Sequence, residues 1–335
     1  MPNYKESEYY YSSAKIAAMS GKLIPSQVLL SLCDSASYGA ALDRLREYGV
    51  EPVNDNGKPD IELTLASYSA SMFSTLAGFL PDGEIVGALR AEYDCHNIKT
   101  AVKCRYLKTD PEPYFIAAGS VPPEAAVRAA DTGDFSAVYP ETIASAAGAA
   151  AKKLDSDGDL RSFESAVDRS CFDRLSELAG SFGYPTLADI ISLKSDLLNL
   201  VTASRIRRVK NPDTAKLLAS DAFVPGGRIP GEKFYPEGES SPALPLSALE
   251  PLLSEEELRQ ITNAASNERP DVLSAACDRV LLSYIRRACG REQLGIKPVI
   301  LFIATFVYAV KDLRIILSGL ESGKPGAGIK EELIF

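Results

Sequence analysis

A cluster of positive charge is the first feature of this sequence that could do chemistry. Arg205, Arg207, Arg208 and Lys210 fall within six positions of a chain whose formal net charge is −9. Guanidinium groups bind carboxylates through paired hydrogen bonds, so this cluster suits an acidic partner. The alternative is a solvated helix end whose basic side chains complement the helix dipole. We predict that Arg205, Arg207 and Arg208 contact a partner.

The single histidine, His96, limits the catalytic arrangements that are open to the chain. A Ser-His-Asp set or a histidine-based zinc site would have to use it. His96 lies between Cys95 and Asn97 in a stretch that reads as a helix. A packed or hydrogen-bonded histidine is therefore the favoured interpretation.

Two loops resemble known ligand-binding loops only in part. The run from Gly319 to Lys324 is one residue short of a phosphate-binding loop, and Pro325 replaces the hydroxyl residue that follows the lysine. The run from Asp155 to Asp159 begins like a calcium loop, but Gly158 stands at its fourth position instead of its sixth. A helix stop and a solvated turn are favoured. We predict no catalytic residue, no cofactor and no metal site.

Asn97 and Asn199 are polar residues within otherwise apolar helical stretches. They could form buried hydrogen bonds that fix helix register, or they could line a ligand pocket. Their recurrence in separate parts of the chain favours the structural role, because buried polar groups that are fully bonded specify a unique packing.

The longest apolar stretch, Ile296 to Gly319, indicates the fold class. Glycine and proline are absent between Pro298 and Gly319, and a strand would not run this far, so the stretch predicts one buried helix. Its apolar half is too short to cross a bilayer, which needs about 20 residues. Helical patterns extend over most of the chain, and the fold is predicted to be all-α.

Similar sequences recur three times along the chain. At an offset of 102, Asp94 falls on Asp196 and Asn97 falls on Asn199. The third copy lies 113 residues further on, with Asp312 at the position of Asn199. A second element, Ser165 to Arg169, recurs as Ala275 to Arg279. A repeat of this length exceeds the period of about 20–50 residues that is typical of solenoids. We predict three homologous helical lobes.

The predicted lobes are residues 1–115, 116–215 and 216–335. Glu51 to Pro59 is predicted to be a turn because it contains Asn, Asp and Gly. The segment from Ala222 to Pro251 is rich in proline and glycine, and it predicts a long connection with one short helix ahead of the third lobe.

Charge and cysteine content exclude several classes of protein. The acidic balance argues against a nucleic-acid partner and against direct docking on an anionic membrane surface. The six cysteines form no CxxC pair and no secretory signal precedes them, so they are predicted to be reduced core thiols of a cytoplasmic protein.

These residues resemble the C-subunit family of V-type (A/V-type) ATP synthases and ATPases, the prokaryotic relatives of the d subunit of the vacuolar ATPase. The resemblance rests on Asp94-Cys-His-Asn97, on Asp196-Leu-Leu-Asn199, on Pro225-Gly-Gly227 and on the closing run from Val310 to Gly319. It covers nearly the whole chain.

The resemblance implies three lobes around a pseudo-threefold axis that form a funnel. It implies a non-catalytic central-stalk component of a rotary ATPase, which links the central shaft subunits to the cytoplasmic face of the membrane proteolipid ring without spanning the membrane. Such a component would couple ATP hydrolysis or synthesis to the transport of ions such as protons. A generic helical adaptor, or an all-helical enzyme with a pocket at the lobe junction, are the alternatives.

Overall fold

The structure is a computed structural model, and it describes residues 5–55, 57–81, 84–116, 118–235, 245–267 and 269–335. These residues are mostly helical, which confirms the all-α prediction. The helices are α1 (Tyr10–Met19), α2 (Ser26–Leu32), α3 (Tyr38–Leu45), α4 (Ile61–Ala77), α5 (Glu84–Leu107), α6 (Pro123–Thr132), α7 (Glu141–Asp157), α8 (Leu160–Phe182), α9 (Pro185–Ile206), α10 (Pro212–Asp221), α11 (Glu255–Ser266), α12 (Pro270–Cys289), α13 (Ile296–Glu321) and α14 (Gly326–Lys330).

The chain divides into two compact units. Unit 1 comprises Gly87–Cys277, and unit 2 comprises Lys5–Val86 together with Asp278–Phe335. Helices α5 and α12 each contribute residues to both units.

The core of unit 2 forms around α13, the longest apolar helix of the chain. The centroid of the Phe306 ring lies 5.2 Å from that of Tyr68 and 5.9 Å from that of Phe73, and both of these residues belong to α4. Aromatic pairs at these distances stabilise a core beyond the area that they bury. Arg314 of α13 also pairs with Glu62 of α4, with 2.7 Å between Nε and Oε1. The predicted buried helix is confirmed, and it continues two residues past Gly319 to Glu321.

The core of unit 1 combines aromatic side chains with alanines. Phe135, Phe163 and Phe172 are buried, and alanines of α6 and α7 fill the space between the helices. Small side chains allow helix axes to approach closely, which agrees with the alanine-rich sequence of α7. Pro185 occupies the first turn of α9, where its missing N–H costs no hydrogen bond.

One short hairpin departs from the predicted turn at Glu51 to Pro59. Strand β1 (Val53–Asp55) pairs antiparallel with β2 (Lys58–Asp60). The Thr64 hydroxyl accepts the N–H of Val53 at 2.9 Å, which fixes the hairpin on α4. Three-residue polar strands carry no periodic signal, so the sequence shows only their turn residues.

The described part of the proline- and glycine-rich connection contains two short 3-10 helices, Gly231–Lys233 and Leu246–Leu249, where the sequence predicts one. Residues 236–244 of this predicted connection lie outside the described residues. Among the helices that are described, none is both long and apolar enough to cross a membrane.

Candidate functional site

The repeated helices each carry a buried aspartate that accepts backbone N–H groups from a segment further along the chain. We call such an aspartate, together with the segment that it holds, a clamp. The Asp94 clamp lies on α5, where Asp94 Oδ1 accepts the N–H of Val121 at 3.0 Å. The Ser120 hydroxyl donates to Oδ2, so both carboxylate oxygens are bonded. Arg90 donates to the carbonyls of Ala118 and Gly119 and holds the same segment.

Asn97 adds a reciprocal pair of hydrogen bonds to the Asp94 clamp. Its side-chain amide donates to the carbonyl of Ile116 and accepts the N–H of the same residue, each at 2.9 Å. Asn97 is fully buried, and a buried amide with these bonds costs little desolvation energy. The prediction that it has a structural role is confirmed.

The Asp196 clamp on α9 repeats this arrangement. Asp196 accepts the N–H of Arg228 at 2.9 Å on Oδ2 and that of Ile229 at 3.1 Å on Oδ1. Asn199 forms the reciprocal pair with Val224, again with both distances at 2.9 Å. In both clamps the residue that pairs with the asparagine precedes the first of the two aspartate-bound residues by four positions.

A glycine makes the close approach possible in each of these two clamps. A Cβ atom on Gly119 would collide with Oδ1 of Asp94, and one on Gly227 would collide with Oδ1 of Asp196. Gly227 belongs to the run Pro225-Gly-Gly227 that carries part of the resemblance. Its role there is to let the backbone reach a buried carboxylate.

The hydrogen bonding of Asp312 on α13 shows that the predicted alignment of the third repeat with the second is out of register. Asp312 Oδ1 accepts the N–H of Ile334 at 2.7 Å, so Asp312 is equivalent to Asp196 and does not take the place of Asn199. The expected offset of 113 is wrong by three residues, and the correct value is 116. Ile315 then stands at the asparagine position. The matching backbone partner would be Lys330, which lies within the short helix α14.

Burial raises the pKa of all three clamp carboxyl groups. For Asp94 and Asp196, desolvation raises the pKa, and hydrogen bonds from the held segment oppose the shift. For Asp312, desolvation raises the pKa to about 6. Its second oxygen, Oδ2, has no hydrogen-bond partner among the described residues. Ionised Asp312 is therefore the least well compensated of the three carboxylates.

The predicted contact arginines lie at the carboxyl end of α9. Arg205 is in its last turn and is exposed, and Arg208 is exposed in the turn that follows. Arg207 is half-buried, and its guanidinium donates to the carbonyl of Phe234 at 3.5 Å. Burial lowers the pKa of Arg207. Two of the three side chains therefore face solvent.

A family model that describes the ATP synthase (C/AC39) subunit matches residues 12–332. The chain belongs to this family. The C/AC39 subunit is a component of V/A-type rotary ATPases. No curated protein matches the chain significantly in sequence.

The family match covers the Asp94 and Asp196 clamps of this C/AC39 subunit completely, and it covers the aspartate of the Asp312 clamp. The matched range includes the aspartate of each clamp and the segments held by Asp94 and Asp196, and it ends at residue 332, next to Leu333 and Ile334. The clamps are internal structural contacts, because each joins a helix to the backbone of the same chain.

The other sequence candidates of the C/AC39 subunit take ordinary structural roles. His96 Nε2 bonds the carbonyl of Tyr114 at 2.9 Å, so the predicted hydrogen-bonded histidine is confirmed. The run that resembles a phosphate loop is the end of α13, where Lys324 N–H returns to the carbonyl of Gly319. Asp159 caps α8 through the N–H of Arg161.

Within the described ranges, no group of three or more potential ligands is placed to hold a metal ion. All six cysteines are buried free thiols.

A cavity of about 680 Å³ in unit 1 bears on the alternative of an enzyme. Asp134, Glu141 and Lys152 contribute to its lining, and all three are exposed. Hydrogen bonds from Ser136 lower the pKa of Asp134. A general acid or base works best with a pKa near the working pH, and this carboxyl group is shifted away from it.

The sequence alone does not show what several of the clamp residues bond to. Arg90 and Ser195 contribute hydrogen bonds to held segments, and Ser195 donates to the carbonyl of Pro225 at 2.7 Å. Arg279 performs the same task in unit 2, where it donates to the carbonyls of Glu331 and Leu333. The recurrence of Asp-Arg at 168–169 and 278–279 marks Arg279, but a repeat does not show what the side chain holds.

Proposed function

We propose that this chain is the non-catalytic central-stalk component that couples the rotating shaft of a V/A-type ATPase to its membrane proteolipid ring. The observation that carries the proposal is the threefold recurrence of the clamp within a chain that the C/AC39 family matches almost throughout. One helical module in three copies suits a collar that encloses a shaft around a pseudo-threefold axis.

The clamps give such a collar the stiffness that the task requires. A coupler transmits torque only if its helices do not slide, and the Asp94 and Asp196 clamps each fix a returning segment on a long helix by buried hydrogen bonds. Buried polar networks whose groups are all bonded rigidify a core. Lobes of residues 1–115, 116–215 and 216–335, arranged as a funnel on the cytoplasmic face of the membrane, form part of this proposal.

Arg205, Arg207 and Arg208 are proposed to contact an acidic surface of a neighbouring subunit. The chain as a whole is acidic, so local positive charge steers a partner of opposite sign to this helix end. Arg207 is half-buried and bonded to Phe234, so its replacement would disturb the fold as well as the surface. Arg205 and Arg208 are the informative positions.

The test is co-purification of the tagged chain with the shaft subunits and the proteolipid ring from native membranes. The wild-type chain is expected to recover both. Arg205→Glu with Arg208→Glu is expected to weaken recovery of one of them by at least about tenfold, as loss of charge complementarity predicts. Arg128→Glu, an exposed charge reversal on α6, is the matched control and is expected to bind normally.

The two parts of the proposal fail in different ways. Recovery of neither the shaft nor the ring by the wild-type chain would contradict the coupling role. Recovery of other proteins instead would indicate a generic adaptor. Normal recovery by the double variant, with its helix content unchanged, would reject only the assignment of the arginines.

A further inference from the structure

Residues 326–335 fold back onto the core of unit 2. Ile329, Leu333 and Ile334 are buried, whereas Glu331 and Glu332 between them are exposed. Ile329 packs against Gly319 of α13, and a Cβ atom at position 319 would lie only 2.8 Å from Cγ1 of Ile329. We call residues 326–335 the strap.

Polar contacts tie the strap to α13, to α12 and to the end of α2. Ile334 N–H donates to Asp312, and Arg279 of α12 donates to the carbonyls of Leu333 and Glu331 at 2.9 and 2.8 Å. Lys330 pairs with Asp34, which follows α2, with 2.6 Å between Nζ and Oδ2. Ile315 stands at the position that Asn97 and Asn199 occupy in the other two clamps, and its apolar side chain cannot form their reciprocal pair of hydrogen bonds.

Asp312 is the weak point of this attachment. Its side chain is fully buried, and Oδ2 has no hydrogen-bond partner among the described residues. Burial of the ionised carboxylate costs more free energy than burial of the protonated carboxyl group, and the backbone N–H groups of Ile334 and Phe335 and the charge of Arg279 offset only part of that cost. The charged groups that act on Asp312 are Asp278 and Arg279 of α12, and Cys33 beside α2 also senses its charge.

We propose that the strap is a releasable element of unit 2, which docks firmly when Asp312 carries a proton and loosens when Asp312 is ionised. Release exposes the carboxylate to water and removes the cost of burying its charge. The asymmetry between the three clamps supports this assignment, because both carboxylate oxygens of Asp94 and Asp196 are bonded.

The direction of the pH dependence follows from linkage. Burial raises the pKa of Asp312 to about 6 although backbone hydrogen bonds from the strap oppose the shift, whereas a hydrated aspartate titrates near 3.9. The docked strap therefore binds a proton more tightly than the released strap does. Docking is strongest below about pH 4 and weakens as the pH rises through about 6.

Hydrogen exchange at single-residue resolution tests the proposal on the full-length chain. The protection factor of the Ile334 amide, corrected for the intrinsic exchange rate, is compared at pH 5 and pH 7.5. It is expected to fall by about tenfold at the higher pH, since one pKa unit corresponds to a factor of ten. The Ile229 amide of the Asp196 clamp reports on the same sample and is expected to change less.

Two variants separate the role of Asp312 from fraying of the strap. Asp312→Asn is expected to keep the Ile334 protection factor constant between the two pH values. Asp34→Asn, which removes the partner of Lys330 but leaves Asp312 in place, is expected to keep the pH dependence. A pH dependence that survives in Asp312→Asn, or equal protection at both pH values in the wild-type chain, would overturn the proposal.

A direct titration needs no variant. Carbon NMR of the Asp312 carboxyl group is expected to give a midpoint well above the ordinary value of about 3.9. A midpoint at or below that value would also overturn the proposal.

Discussion

The Asp196 and Asp312 clamps share one contact, a buried aspartate that accepts backbone N–H groups, but they differ in the hydrogen bonds that surround this contact. In both, a buried aspartate on a long helix accepts backbone N–H groups from a segment that returns to it. Around Asp196, Asn199 bonds the segment twice more and Gly227 lets the backbone come close. Around Asp312, Ile315 makes no such bonds and one carboxylate oxygen has no described partner. A repeated residue therefore keeps its position while its energetic contribution changes with its neighbours.

Removal of the better supported carboxylate is expected to have the largest effect. Asp196→Ala leaves the buried N–H of Ile229 and the N–H of Arg228 without their acceptor. Two unsatisfied donors predict a loss of about 4 kcal/mol in the free energy of unfolding. Urea denaturation of the variant and of the wild-type chain measures the difference in the free energy of unfolding. A loss below about 1 kcal/mol would show that water replaces the carboxylate and that the clamp is not a buried network.

Removal of the asparagine pair is expected to cost less. Asn199→Leu preserves the approximate volume of the side chain but leaves the buried N–H of Val224 unpaired, and the Val224 carbonyl keeps only a long hydrogen bond of 3.4 Å from the Ser195 hydroxyl. We expect a loss of about 3 kcal/mol. The matched control, Ile315→Leu on α13, exchanges two apolar side chains and is expected to lose less than about 1.5 kcal/mol. Equal losses in the two variants would contradict the comparison between the clamps.

The pH dependence of stability is expected to separate the two clamps. Because the pKa of Asp312 is raised to about 6, its stabilising contribution is present below about pH 4 and is lost as the pH rises through 6. Asp312→Asn removes this dependence. The stability of the variant relative to the wild-type chain should therefore rise by about 2 kcal/mol between pH 4.5 and pH 7.5. Denaturation at several pH values measures it, and a constant difference would refute it.

A partly exposed ion pair is expected to have the smallest effect. Lys99 of α5 pairs with Asp168 of α8, and these side chains are 25% and 42% exposed. Lys99→Ala is expected to change the free energy of unfolding by less than about 1 kcal/mol. A larger loss, measured at both low and high salt, would mean that these charges belong to the buried network.

The sequence predicts the helices of this protein better than it predicts the clamps. The apolar run that forms α13 is long and contains no glycine or proline between Pro298 and Gly319, so both predicted ends of this helix lie within two residues of the observed ends. The first partners of Asp94, Asp196 and Asp312 follow them by 26, 32 and 22 residues, and this irregular spacing gives no period to detect. Sequence similarity alone places Asp312 opposite Asn199, because the neighbouring leucines match and the hydrogen-bond acceptor cannot be seen.

The predicted contact residues show the same limit. A run of basic residues marks the end of α9 correctly, but it does not show that Arg207 turns inward to Phe234 while Arg205 and Arg208 face solvent. Exposure depends on the packing of a segment that lies more than 20 positions away in the chain. The lobe boundaries remain a prediction.

Unit 2 is assembled from two stretches that are synthesised at different times. Its helices α1 and α4 pack on α13, and Glu62 and Arg314 form an ion pair across 252 positions of sequence. Translation proceeds from the amino end, so α1 to α4 leave the ribosome long before their partner helix is made. The stretch Gly87–Cys277 of unit 1 is continuous in sequence and can assemble meanwhile. The helices at the amino end of unit 2 therefore cannot complete their core until nearly the whole chain has been translated.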